Sequence, residues 1–129
     1  MKELLTKLLL AIVAALAPIQ AIIISVGLLI MADMITGILA ARKRGEKISS
    51  AAMRRTVSKM LIYELAVVSG FLLEHYIMGG LVPISKVVAS VIGMVEFKSM
   101  LENINKITGL DLMSEILKKI GSKNDEKNS

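Results

Sequence analysis

Long apolar stretches separate clusters of charged residues along this chain. Residues 8–32 contain no charged side chain, and only Gln20 and Ser25 interrupt them with polar atoms. At about 1.5 Å per residue, a helix over this stretch exceeds a hydrocarbon core of about 30 Å. The pattern predicts a first membrane-spanning helix over about residues 8–38, with a kink at Pro18, because proline removes one helical hydrogen bond.

The same stretch has some features of a secretory signal peptide. Lys2 and Lys7 precede the apolar run, and residues 15–17 are similar to a cleavage site. Pro18 would directly follow the cut, however, and the apolar run continues well beyond it. We therefore expect the segment to be retained as a span.

A second apolar stretch predicts a span over residues 60–78, followed by a turn at Gly79 and Gly80. Glu64 and Glu74 lie within it, and an ionised acid at mid-membrane costs about 2.5–3.5 kcal/mol. At about 100° per residue the two acids share one broad helix face, which is expected to contact protein or water. The alternative is that both acids lie near the membrane edges.

The third predicted span, residues 84–101, has the weakest signal, since only residues 87–95 are free of charge. The alternative is a helix that lies in the membrane interface, which leaves two true spans. Beyond it, residues 110–120 are expected to form an amphipathic helix, because apolar residues recur there at helical spacing. Residues 122–129 are expected to be a disordered polar tail.

These elements define the expected fold class. The chain is predicted to be an all-α, oligomeric integral membrane protein with one membrane domain over residues 1–121, three transmembrane helices and a C-terminal amphipathic helix. A hydrophobic content of 54% and a mean hydropathy of +0.67 agree with this class.

Positive charge is concentrated between the first two apolar stretches, in residues 42–59. Short basic loops stay in the cytoplasm, so this loop is expected inside, and three spans then place the C-terminal tail inside as well. Two spans would place the tail outside. Anionic lipid headgroups are the expected partner and nucleic acid is not, because the loop joins two apolar stretches and has no interleaved aromatic residues. The expected lipid contacts are Arg42, Lys43, Arg44, Lys47, Arg54, Arg55 and Lys59.

Small residues four positions apart recur in the predicted spans and allow helix backbones to approach closely. Three short spans with embedded acids bury little on their own, so the chain is expected to associate with copies of itself. The candidate residues for a pore or an oligomer interface are Glu64, Glu74, Ala66, Gly70, Ala89 and Gly93.

Catalytic motifs are scarce in this sequence. It contains no cysteine, one histidine and no Gly-rich phosphate loop. We therefore expect neither an enzyme nor a bound cofactor or metal. His75 beside Glu74 leaves a proton-coupled transporter as a minor alternative, although three spans provide little room for a substrate site.

Two motifs flank the apolar segments. The first is Asp33-Met-Ile-Thr36-Gly37, followed by a basic turn and by Ser49-Ser50 before a stretch with Arg54, Arg55 and Lys59; the second is Glu96-Phe-Lys-Ser99-Met-Leu-Glu102-Asn103. In this order, over about residues 31–120, the chain resembles the bacteriophage holin family associated with lysis and toxin secretion.

The resemblance implies a small protein of the bacterial cytoplasmic membrane that accumulates, oligomerises and opens lesions through which an endolysin or a toxin escapes. Glu64 and Glu74 would then face a lumen or an interface. Asp33 is expected to pair with Arg54, Arg55 or an amide. Thr36 is expected to bond back to its own helix, and Gly37 to permit a close crossing. The alternative for this motif is a simple junction between helix and turn.

Two other functions within the membrane class stay open at this point. The chain would be an antiholin if it bound a pore former without opening a pore. It would be a structural partner if it anchored a soluble complex.

Overall fold

Helices account for nearly the whole chain. The structure, a computed structural model, describes residues 1–128 and contains no strand within them. The all-helical prediction is therefore confirmed for this part of the chain. In chain order, the elements are α1 (Lys2–Leu16), a 3-10 turn (Ala17–Ile19), α2 (Gln20–Lys43), α3 (Ser50–Leu72), a π-helical turn (Leu73–Ile77), α4 (Ile84–Thr108) and α5 (Leu112–Lys127).

Helices α2, α3 and α4 form a bundle. Gly27 of α2 lies opposite Glu64 of α3, whereas Asp33, further along α2, contacts Lys59, earlier in α3, so these helices are antiparallel. The last residue of α2, Lys43, contacts Ile107 near the end of α4, so α2 and α4 are parallel. The buried apolar core between the three helices consists of Ile19, Val26, Ile30, Val67, Phe71 and Ile92.

The bundle exposes apolar side chains and buries some polar ones. Leu61 is 69% exposed and Met94 is 73% exposed, whereas the charged Glu96 is 1% exposed. This distribution suits a lipid environment, because lipid solvates apolar side chains. Two described helical stretches, Lys2–Lys43 and Ser50–Ile77, are long and apolar enough to cross a membrane. Helix α4 is not among them, so the three-span arrangement stays a prediction.

Several helix ends follow the local signals in the sequence. A kink was predicted at Pro18, and this residue lies in the 3-10 turn that interrupts the α-helix. Ser49 is the N-cap of α3, and its hydroxyl accepts a hydrogen bond from the Ala52 amide at 3.2 Å. Gly109 ends α4 with φ +73°, a left-handed conformation that glycine adopts without strain.

The helices are longer than the predicted spans. The first extends over Lys2–Lys43, the second over Ser50–Ile77 and the third over Ile84–Thr108, because polar helix formers continue each helix beyond its apolar section. Helix α5 continues through Gly121 to Lys127, so the disordered tail was wrong for residues 122–127. One glycine costs a helix only about 1 kcal/mol, and the lysines and glutamate that follow favour it. Residue 129 of that predicted tail lies outside the described residues.

Candidate functional site

An ion cluster of Asp33, Lys59 and Glu96 lies between the three bundle helices. The Lys59 ammonium of α3 is 2.9 Å from Asp33 Oδ2 of α2 and 2.7 Å from Glu96 Oε2 of α4. Each helix therefore contributes one charged side chain. Through a single ammonium group, Lys59 joins all three helices.

The ion cluster is buried at Glu96, is partly exposed at Asp33 and Lys59, and contains more acid than base. The Glu96 side chain is 1% exposed, and two carboxylates share one ammonium. Removing one partner of a buried ion pair costs about 3–5 kcal/mol, because the other charge stays buried. The packed bundle therefore depends on Lys59.

Asn103 extends the ion cluster towards the end of α2. Its Nδ2 donates to Asp33 Oδ1 at 3.1 Å and lies 3.3 Å from Thr36 Oγ1. Thr36 Oγ1 in turn donates to the carbonyl of Ala32 at 2.9 Å, as predicted. A Cβ added at Gly37 would lie 3.5 Å from Asn103 Nδ2, an ordinary van der Waals distance, so the close crossing expected at this glycine stays a prediction. The two sequence motifs thus meet in space.

The partner of Asp33 differs in part from the expected one. The amide was expected, and Asn103 provides it, but the cation is Lys59 and not Arg54 or Arg55. Lys59 lies one helical turn before Tyr63, on the face of α3 that packs towards α2, whereas both arginines are exposed. The position of Lys59 one turn before an apolar stripe was the sequence signal that could have identified it as the partner of Asp33.

Glu64 lies in the apolar part of the bundle and faces α2. Its Oε1 would be 3.6 Å from a Cβ added at Gly27. Its Oε2 is buried and has no hydrogen-bond partner among the described residues. A buried carboxylate without a partner is costly, so this packing leaves a polar group whose hydrogen-bonding capacity is unmet.

Glu74 caps helix α4 from across the turn. Its Oε2 accepts hydrogen bonds from the Ser85 amide at 2.9 Å and from the Ser85 hydroxyl at 2.6 Å. Pro83, the N-cap residue of α4, provides no side-chain hydrogen bond. A carboxylate there satisfies a free amide and complements the positive end of the helix dipole. Sequence reasoning missed Ser85, which is the second residue of α4 and therefore lacks the N-cap position of a helix-start serine.

The glycines proposed for helix association make contacts within this chain. A Cβ added at Gly70 would lie 3.3 Å from Ile84 Cγ2, and one added at Gly93 would lie 3.4 Å from Leu29 Cδ1. Ala89 packs against the buried core, and Ala66 is half-buried. A role of these residues between protomers stays a prediction.

The basic residues divide into two groups. In the first, Lys43 donates to the carbonyl of Ile107 at the end of α4, Arg44 pairs with Glu46 at 2.9 Å, and Lys59 belongs to the ion cluster. The second group is exposed and has no ion-pair partner within residues 1–128. It comprises Arg42, Lys47, Arg54 and Arg55.

The other motif residues lie at helix starts or on the surface. Ser49 caps α3 and Ser50 is its first residue. Ser99 lies on α4, one helical turn before Asn103. Glu102 lies 3.9 Å from Lys98 on an exposed face, where an ion pair contributes little stability.

The arrangement defines a helical membrane protein with a buried ion cluster that joins its bundle helices. Its sequence matches the profile of the bacteriophage holin family over residues 5–123, so the chain belongs to that family. The protein is a phage holin-type membrane protein, and this family is not an established class of enzymes. No curated protein and no solved structure matches the chain.

Proposed function

We propose that this protein forms lesions in the bacterial cytoplasmic membrane by self-association and so releases a phage endolysin or a toxin. Membership of the holin family supports this function, and the ion cluster of the bundle is the observation that supports the mechanism. Charged groups are tolerated inside a membrane when they contact each other or water. In the single packed chain they contact each other.

Opening would exchange these contacts for water. The ion cluster holds α2, α3 and α4 together in the closed protomer, and Glu64 adds a carboxylate whose Oε2 has no partner among the described residues. When protomers associate, rearranged helices turn these groups towards a water-filled lumen, which solvates them. Polar residues that stabilise the closed bundle therefore line the open lesion.

The proposed arrangement has three spans, with α4 as the third. Helix α4 is parallel to α2 and lies against it from Gly93 beside Leu29 to Asn103 beside Asp33. A helix lying flat in the interface would cross α2 at a steep angle instead. The parallel packing supports a common depth for α2 and α4. Residues 42–59 and the C-terminal tail are then cytoplasmic, and the N-terminus is outside.

Expression of this chain alone in bacteria tests the function. We expect the membrane potential, followed with a voltage-sensitive dye, to collapse abruptly and a co-expressed cytoplasmic wall hydrolase to lyse the cells. Cells that express the hydrolase alone are the control. A normal potential at high membrane levels of the protein contradicts the proposal.

The same experiment distinguishes a holin from an antiholin. An antiholin causes no depolarisation by itself and delays lysis by a second pore-forming protein. Fixed stoichiometry with a soluble partner after mild detergent extraction would instead identify a structural platform.

A further inference from the structure

A groove opens beside the ion cluster, where the end of α2, residues 44–49 and the start of α3 meet α4. We call it the interfacial groove. It encloses about 510 Å³, which is within the range of about 300–1,000 Å³ typical of small-molecule sites. Its charged lining comprises Asp33, Arg44, Glu46, Lys47, Arg55 and Lys59.

The acids of this lining are already paired. Glu46 forms a two-pronged ion pair with Arg44, with nitrogen–oxygen distances of 2.9 and 3.1 Å. Asp33 contacts Lys59 at 2.9 Å. Four lining cations and two lining acids give a formal charge of +2, and Glu96, which contacts Lys59 without lining the groove, reduces it to +1.

The surplus positive charge comes from Lys47 and Arg55. Both are exposed and have no acid partner among residues 1–128. Ser49 also lines the groove, and its hydroxyl oxygen accepts from the Ala52 amide, so the hydroxyl hydrogen stays available to donate. An arginine, a lysine and a hydroxyl are typical donors to a phosphate group.

Apolar side chains complete the lining and continue into the exposed surface. The apolar lining comprises Met34, Ile38, Ile48 and Met53. On the same two helices, Ile35 is 51% exposed and Val57 is 60% exposed. A ligand with one charged end and one apolar end therefore matches this groove better than a free anion does.

We propose that the interfacial groove binds the headgroup of an anionic glycerophospholipid with a single phosphodiester. The phosphodiester contacts Arg55 and Lys47, and the glycerol end lies against Met34 and Met53. The net charge of +1 complements one phosphodiester. This inference rests on the proposed membrane function, because that orientation places the groove in the cytoplasmic leaflet.

The sequence provides matched controls for the test. Arg54 precedes Arg55 and Arg42 lies near Lys47, but neither Arg54 nor Arg42 lines the groove. The variants Lys47→Gln/Arg55→Gln and Arg42→Gln/Arg54→Gln therefore remove the same charge from the same basic loop. Native mass spectrometry of the full chain in neutral detergent, with phosphatidylglycerol or phosphatidylcholine added, measures the lipid that each variant retains.

We expect the unaltered chain to retain one phosphatidylglycerol in preference to phosphatidylcholine. The Lys47→Gln/Arg55→Gln variant should bind it about tenfold more weakly, whereas Arg42→Gln/Arg54→Gln should differ from the unaltered chain by less than about twofold. Excess inorganic phosphate should not displace the lipid. Circular dichroism checks that both variants stay helical.

Three results overturn the inference. Equal losses in both variants indicate general attraction to a basic surface, retention in both indicates binding elsewhere, and displacement by phosphate indicates a free-anion site. The depolarisation assay separates the two proposals. Depolarisation without selective lipid retention leaves the proposed function intact, whereas selective retention without depolarisation contradicts that function and leaves the lipid site intact.

Discussion

The N-terminal helix and the bundle are joined end to end at Pro18, yet they are held in place by different interactions. Helix α1 has no buried residue, and Leu4 and Leu10 are 72% and 63% exposed. In the bundle, by contrast, Ile30 and Val67 are fully buried and an ion cluster joins three helices. Within α1 the last residue, Leu16, packs against the buried core, and α1 is stabilised mainly by lipid, whereas the bundle also depends on contacts with itself.

The combined helix formed by α1 and α2 is longer than a membrane is thick. The combined helix Lys2–Lys43 contains 42 residues, which is about 63 Å at 1.5 Å per residue. A hydrocarbon core of about 30 Å accommodates only about half of it. The 3-10 turn at Pro18 interrupts the regular hydrogen bonds between α1 and α2, so the two helices need not share one tilt in the membrane.

Removal of the Lys59 ammonium should have the largest effect on the bundle. In Lys59→Met, Asp33 and the buried Glu96 lose their shared cation, and we expect a loss of about 3–5 kcal/mol of folding free energy. Denaturation of the purified protein in detergent, followed by circular dichroism, measures this loss. Arg54→Met is the control, because Arg54 is an exposed cation on the same helix. Equal stability of the two variants would show that the ion cluster does not hold the bundle together.

Overpacking at Gly70 should have the next largest effect. Its Cβ position is 3.3 Å from Ile84 Cγ2, so Gly70→Leu forces α3 and α4 apart and should cost about 2 kcal/mol. Gly121→Leu is the matched control, since a Cβ there meets nothing within 4 Å. The same denaturation measurement applies. Equal changes in the free energy of unfolding for Gly70→Leu and Gly121→Leu would contradict the close approach of α3 and α4.

The Glu74 cap should contribute less. Ser85→Ala removes the hydroxyl donor at 2.6 Å but keeps the backbone donor, so we expect a loss of about 1 kcal/mol. Ser90→Ala is the comparison, because the Ser90 hydroxyl bonds only to Lys86 within its own helix. A larger loss in Ser90→Ala than in Ser85→Ala would contradict the cap.

Substitutions in α1 should have the smallest effect on the bundle. Leu9→Ala removes an exposed side chain, and we expect a change below about 0.5 kcal/mol in detergent. Ile30→Ala, in the buried core, should cost about 2–5 kcal/mol in the same assay. A loss in Leu9→Ala as large as that in Ile30→Ala would mean that α1 packs against the bundle after all.

Local patterns along the chain were sufficient to predict which segments are helical and that apolar helices face lipid. A long uncharged run predicts a lipid-facing helix and Pro18 predicts its irregular turn, because each signal depends only on neighbouring residues. The order of the two motifs also predicted the family that the profile match shows. Helix ends were less predictable, since polar residues beyond the apolar sections are compatible with both helix and loop.

The pairing of charges required the tertiary structure. Lys59 was grouped with the other basic residues as a lipid contact, and only helix packing distinguishes it from Arg54 and Arg55. Asp33 and Glu96 are far apart in the chain, so the apolar pattern does not reveal that one ammonium group serves both. Local chemistry decides which segments are helical and enter lipid, whereas helix rotation and depth decide which embedded charges meet.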